Sequence, residues 1–304
     1  MLPLPTTYLL TGANGFLGRY IYEHLVSGNN VISLGRRRGN DIVCNLSAEI
    51  PLMQQPIDIV VHAAGKAHMV PTTEAEEKDF FDVNFAGTQH LCKGLEALPV
   101  LPKAFVFIST IAVYGKDEGQ NISEQHPLHG TTPYAKSKIE AEHFLQQWCA
   151  DNSIKLSILR LPLIAGKNPP GNLGAMIKGI SNGRYFNIGG GGAHKSVVMA
   201  DDVAAAIPVI AQTGGIYNLT DGHHPSFAVL ALLISKQLNK ASPKNLPIWL
   251  AKLMALAGNF LGSKAPINSN KLRKITATLT FDDSLARRSF GWKPHAVTEA
   301  FRIE

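Results

Sequence analysis

The chain has 304 residues, 45% of them hydrophobic and 17% charged, a composition that excludes an intrinsically disordered protein. Its net charge of +6 favours an anionic partner. Because no zinc-finger, RRM-like or basic-region pattern accompanies that charge, the sequence favours phosphorylated small molecules over nucleic acid. The three cysteines are far apart and the N-terminus lacks the pattern of a signal peptide, so we expect a cytoplasmic protein without disulfides or a metal site.

The first predicted element is a strand at residues 8–11 that leads into a glycine-rich turn with the spacing G-x-x-G-x-x-G. Glycines at a strand-to-helix junction permit a tight turn, close approach of backbone N–H groups to a pyrophosphate, and packing of helix on strand. The anion then lies at the positive end of the helix. An ordinary turn is the alternative. The cofactor-binding residues predicted here are Gly12, Asn14, Gly15, Phe16, Leu17 and Gly18.

Short apolar runs then alternate with amphipathic stretches. Further strands are predicted at residues 31–34, 42–44, 57–63, 105–109 and 156–161. Helices are predicted from residue 17 to Gly28 and over 133–150. This alternation predicts an α/β fold, a Rossmann-type doubly wound parallel sheet with helices on both faces.

The second half of the chain is less regular. In order, a Gly-, Asn- and Pro-rich stretch, a strand–helix–strand unit and a mostly helical tail occupy residues 166–194, 196–220 and 224–262. We therefore predict a dinucleotide-binding domain over 1–165, to which 195–220 returns. The remaining segments would form a smaller, mostly helical C-terminal substrate-binding lobe, made of residues 166–194 and 221–304.

The most apolar part of the tail, residues 249–260, is interrupted by Lys252 and is too short to span a membrane. We expect an amphipathic helix packed on the body of the protein, and no membrane insertion. A helix on a membrane surface is the alternative.

Tyr134 and Lys138 are four residues apart on a predicted helix, so both project from one face. An ordinary phenol pKa near 10 is too high for proton transfer at neutral pH, but a nearby ammonium and a cationic nicotinamide would lower it. Ser109 and Thr110 close a predicted parallel strand, where ligands bind in such sheets, and a hydroxyl there could share the substrate oxygen with Tyr134. Exposed side chains on an amphipathic helix are the alternative for the Tyr–Lys pair. We interpret His62 as a packed strand residue and not as an acid or base.

The sequence resembles the extended short-chain dehydrogenase/reductase family of nucleotide-sugar epimerases, dehydratases and reductases, over nearly its whole length and in order. Besides the glycine-rich turn and the Tyr134–Lys138 pair, the matching motifs are His62-Ala63-Ala64, Asn84-Phe85-Ala86-Gly87-Thr88, Ser109-Thr110-Ile111-Ala112-Val113-Tyr114-Gly115, Arg160-Leu161-Pro162, Asp201-Asp202-Val203-Ala204 and Phe290-Gly291-Trp292-Lys293-Pro294.

The resemblance implies that Tyr134 is the acid/base, that Lys138 tunes it and binds the nicotinamide ribose, and that Thr110 is a third catalytic hydroxyl that also contacts the substrate. Asn172 and Lys195 fall where relatives hold the sugar-nucleotide diphosphate, although a solvated surface lysine is the alternative for Lys195. Further cofactor contacts are implied at Ala63, Ala64, Gly65, Asn84 and Ser109. Family members pair through two long helices, so a homodimer is also implied.

The second predicted strand ends in Gly35-Arg36-Arg37-Arg38 with no acidic residue. An NAD enzyme usually has a carboxylate there for the ribose 2′-hydroxyl, whereas a guanidinium can bind a 2′-phosphate. We therefore predict a preference for NADP(H), bound by Arg36 and Arg37. NAD(H), with a solvated basic loop, is the alternative.

Dehydratase relatives carry Thr-Asp-Glu where this chain has Thr110-Ile111-Ala112, so dehydration is not expected. Our leading interpretation is a 4-ketoreductase of a 4-keto-6-deoxy UDP sugar. A UDP-sugar 4-epimerase is the first alternative, and a noncatalytic NADP-binding sensor is the second.

Overall fold

The computed structural model describes residues 5–67, 69–260 and 267–303. Strands β1 to β13 of these residues are, in chain order, Thr7–Thr11, Asn30–Gly35, Ile42–Val43, Ile59–His62, Ala104–Thr110, Gly119–Ile122, Lys155–Leu161, Leu163–Ala165, Asn187–Ile188, Val197–Met199, Gly215–Asn218, Asn245–Leu246 and Leu279–Phe281. Helices α1 to α11 are Phe16–Leu25, Glu74–Phe81, Gly87–Glu96, Pro133–Asp151, Gly171–Ser181, Ala200–Thr213, Phe227–Gln237, Ile248–Asn259, Ser269–Thr276, Ser284–Phe290 and Val297–Ala300.

Seven strands form the central sheet, in the order β11-β7-β5-β4-β1-β2-β3, and every neighbouring pair is parallel. The order reverses direction at β1, so that β1 and β4 lie at the switch point where ligands bind in doubly wound sheets. The predicted α/β fold is confirmed. The six strands predicted before residue 165 are all present, with ends that differ by up to two residues.

Helices cover both faces of this sheet. Because side chains of a strand alternate between the two faces, neighbours such as Leu9 and Leu10 belong to different cores. Leu10 packs with α1 and α6, whereas Leu9 packs with α3 and α4. Burial on both faces explains why these strands are nearly continuous apolar runs.

A third hydrophobic core lies between α5, α7 and α11, against the two-stranded pair of β8 and β10. Only β11 of the predicted 195–220 segment rejoins the central sheet, while α6 packs on it. The strands β6 and β13, whose first residues Gly119 and Leu279 are 160 positions apart in the sequence, form another small sheet that links the C-terminal region to the segment after β5.

 

The predicted division into domains stays a prediction.

The helical stretch from Glu74 to Glu96 is not one regular α-helix. Between α2 and α3 the residues Asp82–Ala86 form one π-helical turn, which places an extra residue in the helix. Asn84 lies at the centre of this turn and is buried. Such turns are frequent at functional sites.

The tail helix α8 does not pack as predicted. Its buried residues are the small ones, Ala251, Ala255 and Gly258, while large apolar side chains such as Trp249 and Leu253 are exposed. The expectation of an apolar face turned toward the body is therefore wrong for the large side chains. None of the helices in the described ranges is long and apolar enough to cross a bilayer.

Candidate active site

The glycine-rich turn closes tightly against the end of β4. Gly12 has φ +75°, and a Cβ there would lie 2.7 Å from the backbone nitrogen of Ala64. A Cβ on Gly18 would overlap the carbonyl oxygen of Gly12. Both positions therefore require glycine, one because of its conformation and its neighbours and the other because α1 packs directly on the turn.

The N-terminus of α1 is built to receive an anion. Gly15 is its N-cap and has no side chain to accept the first N–H groups of the helix. Asn14 and Gly15 are exposed and Phe16 is half-buried, whereas the Leu17 side chain belongs to the core, so only its backbone can face a ligand. Free N–H groups, a cradle that a Cβ would fill and a helix N-terminus fit the diphosphate of a dinucleotide.

His62, the last residue of β4, is buried and orders a chain of hydrogen bonds. Thr88 Oγ1 donates to the Asn84 carbonyl oxygen (2.7 Å), so it must accept from Nε2–H of His62 (3.0 Å). His62 Nδ1 then accepts from Thr11 Oγ1 (2.6 Å), which accepts from the Ala64 N–H (3.1 Å). Burial, assisted by Lys138, lowers the pKa of His62 to about 3, so the ring is neutral as this chain requires. His62 is thus a packed residue that links β1, β4 and the π turn.

Asn84 connects this series of hydrogen bonds to α4, the helix that carries Tyr134 and Lys138. Its Oδ1 accepts from the Lys66 N–H (2.7 Å), and its Nδ2 donates to Ser137 Oγ (2.9 Å). A Cβ on Gly65 would lie 3.1 Å from Asn84 Oδ1 and 4.0 Å from Lys138 Nζ. The end of β4, the π turn and α4 therefore meet at one point.

Tyr134, Thr110 and Lys138 lie together at the carboxyl edge of the sheet. Pro133 starts α4 and Thr132 caps it by accepting from the Ala135 N–H (3.2 Å), which places Tyr134 in the first turn. Tyr134 is half-buried, and the Thr110 side chain, at the end of β5, is near enough to its phenol to influence the pKa of Tyr134. Lys138 follows one turn later and is buried, with Nζ 3.9 Å from the centre of the Phe107 ring.

Lys138 by itself does not lower the pKa of Tyr134 in this structure, and the lowering expected from Lys138 together with a cationic nicotinamide stays a prediction. Burial raises the pKa of Tyr134, and the nearby Thr110 hydroxyl opposes that rise only in part. Burial also lowers the pKa of Lys138 to about 7, with Glu142 opposing the shift. The physical reason is desolvation, which disfavours both the phenolate and the ammonium.

Glu142 lies one further turn along α4, and its carboxylate accepts hydrogen bonds from side chains of β5 and β7. Arg160 on β7 donates to it from NH2 (2.7 Å), and Ser109 donates to it as well. The carboxylate and the guanidinium are both buried. Because the Ser109 hydroxyl is committed to Glu142, the predicted cofactor contact at Ser109 would have to come from its backbone. Arg160 also donates to Tyr114 Oη (3.1 Å).

The arginine-rich loop after β2 is exposed to solvent. Arg36 and Arg37 are exposed, and within the described ranges neither side chain has a hydrogen-bonded or ion-paired partner. Asp41, the next acidic residue, does not lie free beside them, since its Oδ2 accepts from Ser33 N (2.8 Å) and Ser33 Oγ (2.7 Å). Its pKa is lowered mainly by that side-chain hydrogen bond.

The two residues predicted to hold the substrate diphosphate lie outside this cluster. Asn172 is exposed in the first turn of α5. Lys195 is half-buried, with Nζ 5.9 Å from the centre of the Phe227 ring, and burial lowers its pKa. In the part of the chain that the structure describes, no hydrogen bond joins either residue to Tyr134, and their roles stay predictions.

Sequence reasoning missed the role of Glu142 and the π turn at Asn84. Glu142 could have been found, because it is four residues after Lys138 on the same face of the predicted helix. A carboxylate at that position predicts an interaction with the lysine or with a cation from the sheet. The π turn has no comparable signal in the spacing of apolar residues.

Comparisons with known proteins agree with this geometry. Residues 8–220 match the NAD dependent epimerase/dehydratase family. The chain is 27% identical to the N-acetyl-alpha-D-glucosaminyl-diphospho-ditrans,octacis-undecaprenol 4-epimerase of Escherichia coli O157:H7, over 96% of this chain and 92% of that protein. It is 28% identical to the UDP-glucose 4-epimerase of Vibrio cholerae, over 98% of this chain and 94% of that protein.

The fold is also shared with a solved structure. The UDP-glucose 4-epimerase of Thermotoga maritima, determined with UDP-glucose, superimposes with a TM-score of 0.75 at 19% identity, over 97% of this chain and 96% of that one. The family match covers well over half of the present chain. The chain therefore belongs to the NAD dependent epimerase/dehydratase family.

Proposed function

We propose that this enzyme is an NADPH-dependent 4-ketoreductase of a 4-keto-6-deoxy UDP sugar. The observation that carries the proposal is the cluster of Tyr134, Thr110 and Lys138 at the carboxyl edge of the sheet, beside the glycine-rich turn. Dehydration is not supported, because Ile111 and Ala112 follow Thr110 and provide no carboxyl group for removing water.

The protonated state of Tyr134 suits the role of a general acid in a reduction. When bound, the reduced nicotinamide supplies the hydride for the C4 carbonyl carbon. Tyr134 donates its phenolic proton to the carbonyl oxygen, and the raised pKa keeps that proton in place beforehand. Thr110 holds the phenol and the substrate oxygen in register. Lys138, with a pKa of about 7, can return a proton to Tyr134 near neutral pH.

The cofactor-binding assignments follow the same edge of the sheet. We assign the diphosphate to the turn at Gly12, Gly15 and Gly18, and the nicotinamide ribose to Lys138. Backbone groups of neighbouring residues complete this part of the site, at Asn14, Phe16, Leu17, Ala63, Ala64, Gly65 and Ser109, with the Asn84 side chain holding the Lys66 backbone.

We assign the 2′-phosphate of NADP(H) to Arg36, with Arg37 as the second contact. Both guanidinium groups are exposed and the nearest following carboxylate, Asp41, is bonded to Ser33. An Arg36→Ala variant should weaken NADPH binding by about tenfold or more while changing NADH binding little. Tighter NADH binding by the parent protein, unaffected by this substitution, would contradict the assignment.

For the substrate, we propose that Asn172 and Lys195 hold the diphosphate of the nucleotide sugar. The half-buried ammonium of Lys195 has the reach and charge for this role. A Lys195→Met variant should raise the KM for the nucleotide sugar, whereas a kinetic profile like that of the parent would assign Lys195 to the solvated surface.

A UDP-sugar 4-epimerase is the second candidate, since the two curated relatives named above are both 4-epimerases. An isotope experiment separates the two reactions. A reductase should transfer deuterium from labelled NADPH to C4 of a 4-keto-6-deoxy UDP sugar. An epimerase should instead interconvert UDP hexoses without added cofactor and retain deuterium that starts at C4.

Replacement of Tyr134 tests both candidates together. Tyr134→Phe should lower kcat by about a hundredfold or more, because general acid–base catalysis contributes that much, while leaving NADPH binding intact. Unchanged turnover in this variant would remove Tyr134 from the chemistry. Binding of NADPH with no turnover of any nucleotide sugar by the parent protein would favour the noncatalytic sensor.

A further inference from the structure

The apolar side chains of α8 are arranged opposite to those of an ordinary surface helix. The helix buries alanine and glycine against its neighbours and packs on α9. Residues spaced by four, three and four positions form one exposed stripe, which we call the α8 apolar face. Its members and their exposed fractions are Trp249 (62%), Leu253 (56%), Leu256 (57%) and Phe260 (94%).

The stretch of sequence that contains α8 is cationic and has no acidic residue of its own. No Asp or Glu occurs between Asp221 and Asp282 in the sequence. The same stretch carries eight cationic side chains: Lys236, Lys240, Lys244, Lys252, Lys264, Lys271, Arg273 and Lys274. Lys252 is exposed on α8 itself. Arg273 and Lys274 are exposed on α9 and share an ion pair with one carboxylate, Asp117 (2.8 and 3.4 Å), so this pair of side chains keeps a net positive charge.

The exposed apolar side chains of α8 and the surrounding positive charge together indicate which kind of surface binds here. A second copy of the chain would bring the same positive charge to the interface, and like charges repel. An anionic bilayer offers both an apolar phase for the large side chains and phosphates for the lysines. A helix of 12 residues is about 18 Å long, too short to span the bilayer but suited to lie in its surface.

We propose that the α8 apolar face docks this protein on the surface of an anionic phospholipid bilayer. Trp249 and Leu253 would lie at the boundary between headgroups and acyl chains, with Lys252 among the phosphates. This inference does not depend on the proposed reaction, which can hold or fail separately.

The docking surface adjoins the predicted substrate side of the protein. Lys274 on α9 forms an ion pair with Asp117 (3.4 Å), and both groups are near enough to Lys195 to influence its pKa. Docking through the α8 apolar face would therefore hold the side of the protein that carries Lys195 next to the bilayer. The name of the Escherichia coli relative contains a sugar joined through a diphosphate to undecaprenol.

Vesicle binding of the full chain tests the proposal. We expect flotation with phosphatidylcholine vesicles that contain about 30% phosphatidylglycerol, and little with phosphatidylcholine alone. Trp249 should report the contact, because the other two tryptophans, Trp148 and Trp292, are buried. Its emission should shift to shorter wavelength with the anionic vesicles, and added salt should weaken binding.

Substitutions locate the contact on α8. Leu253→Asp should lower the vesicle partition coefficient by about tenfold or more, and Lys252→Gln by about fivefold. Leu52→Asp, at another exposed apolar residue (84%), is the matched control and should bind like the parent. Melting temperature and turnover of a water-soluble substrate verify that each variant is folded.

Three results would overturn the proposal. The first is an absence of flotation with anionic vesicles. The second is equal loss of binding in Leu52→Asp and Leu253→Asp, which would mean nonspecific adsorption. The third is a lipid-free dimer that already shields Trp249 and is disrupted by Leu253→Asp, which would assign the face to a second copy of the chain.

Discussion

Replacing the buried Lys138 by methionine should stabilise the protein while abolishing its proposed chemistry. The folded chain holds the pKa of this lysine at about 7 instead of 10.5. At 1.36 kcal/mol per pH unit, that difference corresponds to about 5 kcal/mol of unfavourable free energy at low pH. Loss of the contact with the Phe107 ring offsets about 1–2 kcal/mol. We therefore expect Lys138→Met to gain about 3 kcal/mol at pH 6.

The pH dependence gives the sign of this effect. Between about pH 7 and 10.5 the unfolded chain binds a proton at this lysine that the folded chain does not, so the stability of the parent rises with pH in that window. The methionine variant lacks this contribution. Its advantage should be constant below about pH 7 and should shrink as the pH rises toward 10.

Urea unfolding at several pH values measures the difference, with equal nucleotide content in both proteins. Lys136→Met is the matched control, because Lys136 is exposed on the same helix. It should change stability little at any pH. A Lys138→Met variant that is less stable than the parent at pH 6, or a difference that does not vary with pH, would refute the assignment of desolvation as the dominant effect.

Three further predictions concern the frame of the site. Gly18→Ala should abolish dinucleotide binding and lower the melting temperature, because the new Cβ overlaps a backbone oxygen. Gly28→Ala is the control, since its φ is +90° and no atom lies near the added Cβ; this variant should show only backbone strain and keep its binding. Glu142→Leu should lower the free energy of unfolding in urea by about 3–5 kcal/mol, because it leaves the buried Arg160 guanidinium unpaired. The double variant with Arg160→Met should recover at least half of that loss. Additive losses from the two substitutions would contradict an energetic coupling between Glu142 and Arg160. The His62 ring should show no NMR titration above about pH 4. The stability of the parent protein should fall with acidification from about pH 6.5 toward 3, because His62 binds a proton in the unfolded chain but not in the folded one. An NMR titration midpoint near pH 6 for His62 would contradict its buried, neutral state.

The central sheet was predictable because its strands are short apolar runs between amphipathic helices, a local pattern. The small sheet of β6 and β13 was not, since its two strands lie far apart in sequence and each is too short to have a clear pattern. The helix α5 was hidden in the glycine-rich 166–194 stretch for a similar reason, because three glycines interrupt or flank its apolar positions.

The site was predictable as a set of residues but not in its electrostatics. Tyr134 and Lys138 share a helical face, which spacing reveals, but the burial that raises one pKa and lowers the other depends on tertiary packing. The same limit applies to α8, whose composition does not say which face is exposed. The homodimer, the cytoplasmic location and the assignment of each site residue stay predictions.

The π turn at Asp82–Ala86 limits which deletions this segment of the protein can tolerate. Each residue of a regular helix advances the chain by about 100°, so loss of one residue here would rotate α2 relative to α3. Either the carboxamide of Asn84 would swing away from Gly65, or the acidic surface of α2 would turn inward. We expect lineages of this enzyme to accumulate substitutions along the exposed part of α2 while deletions within the five-residue turn are eliminated.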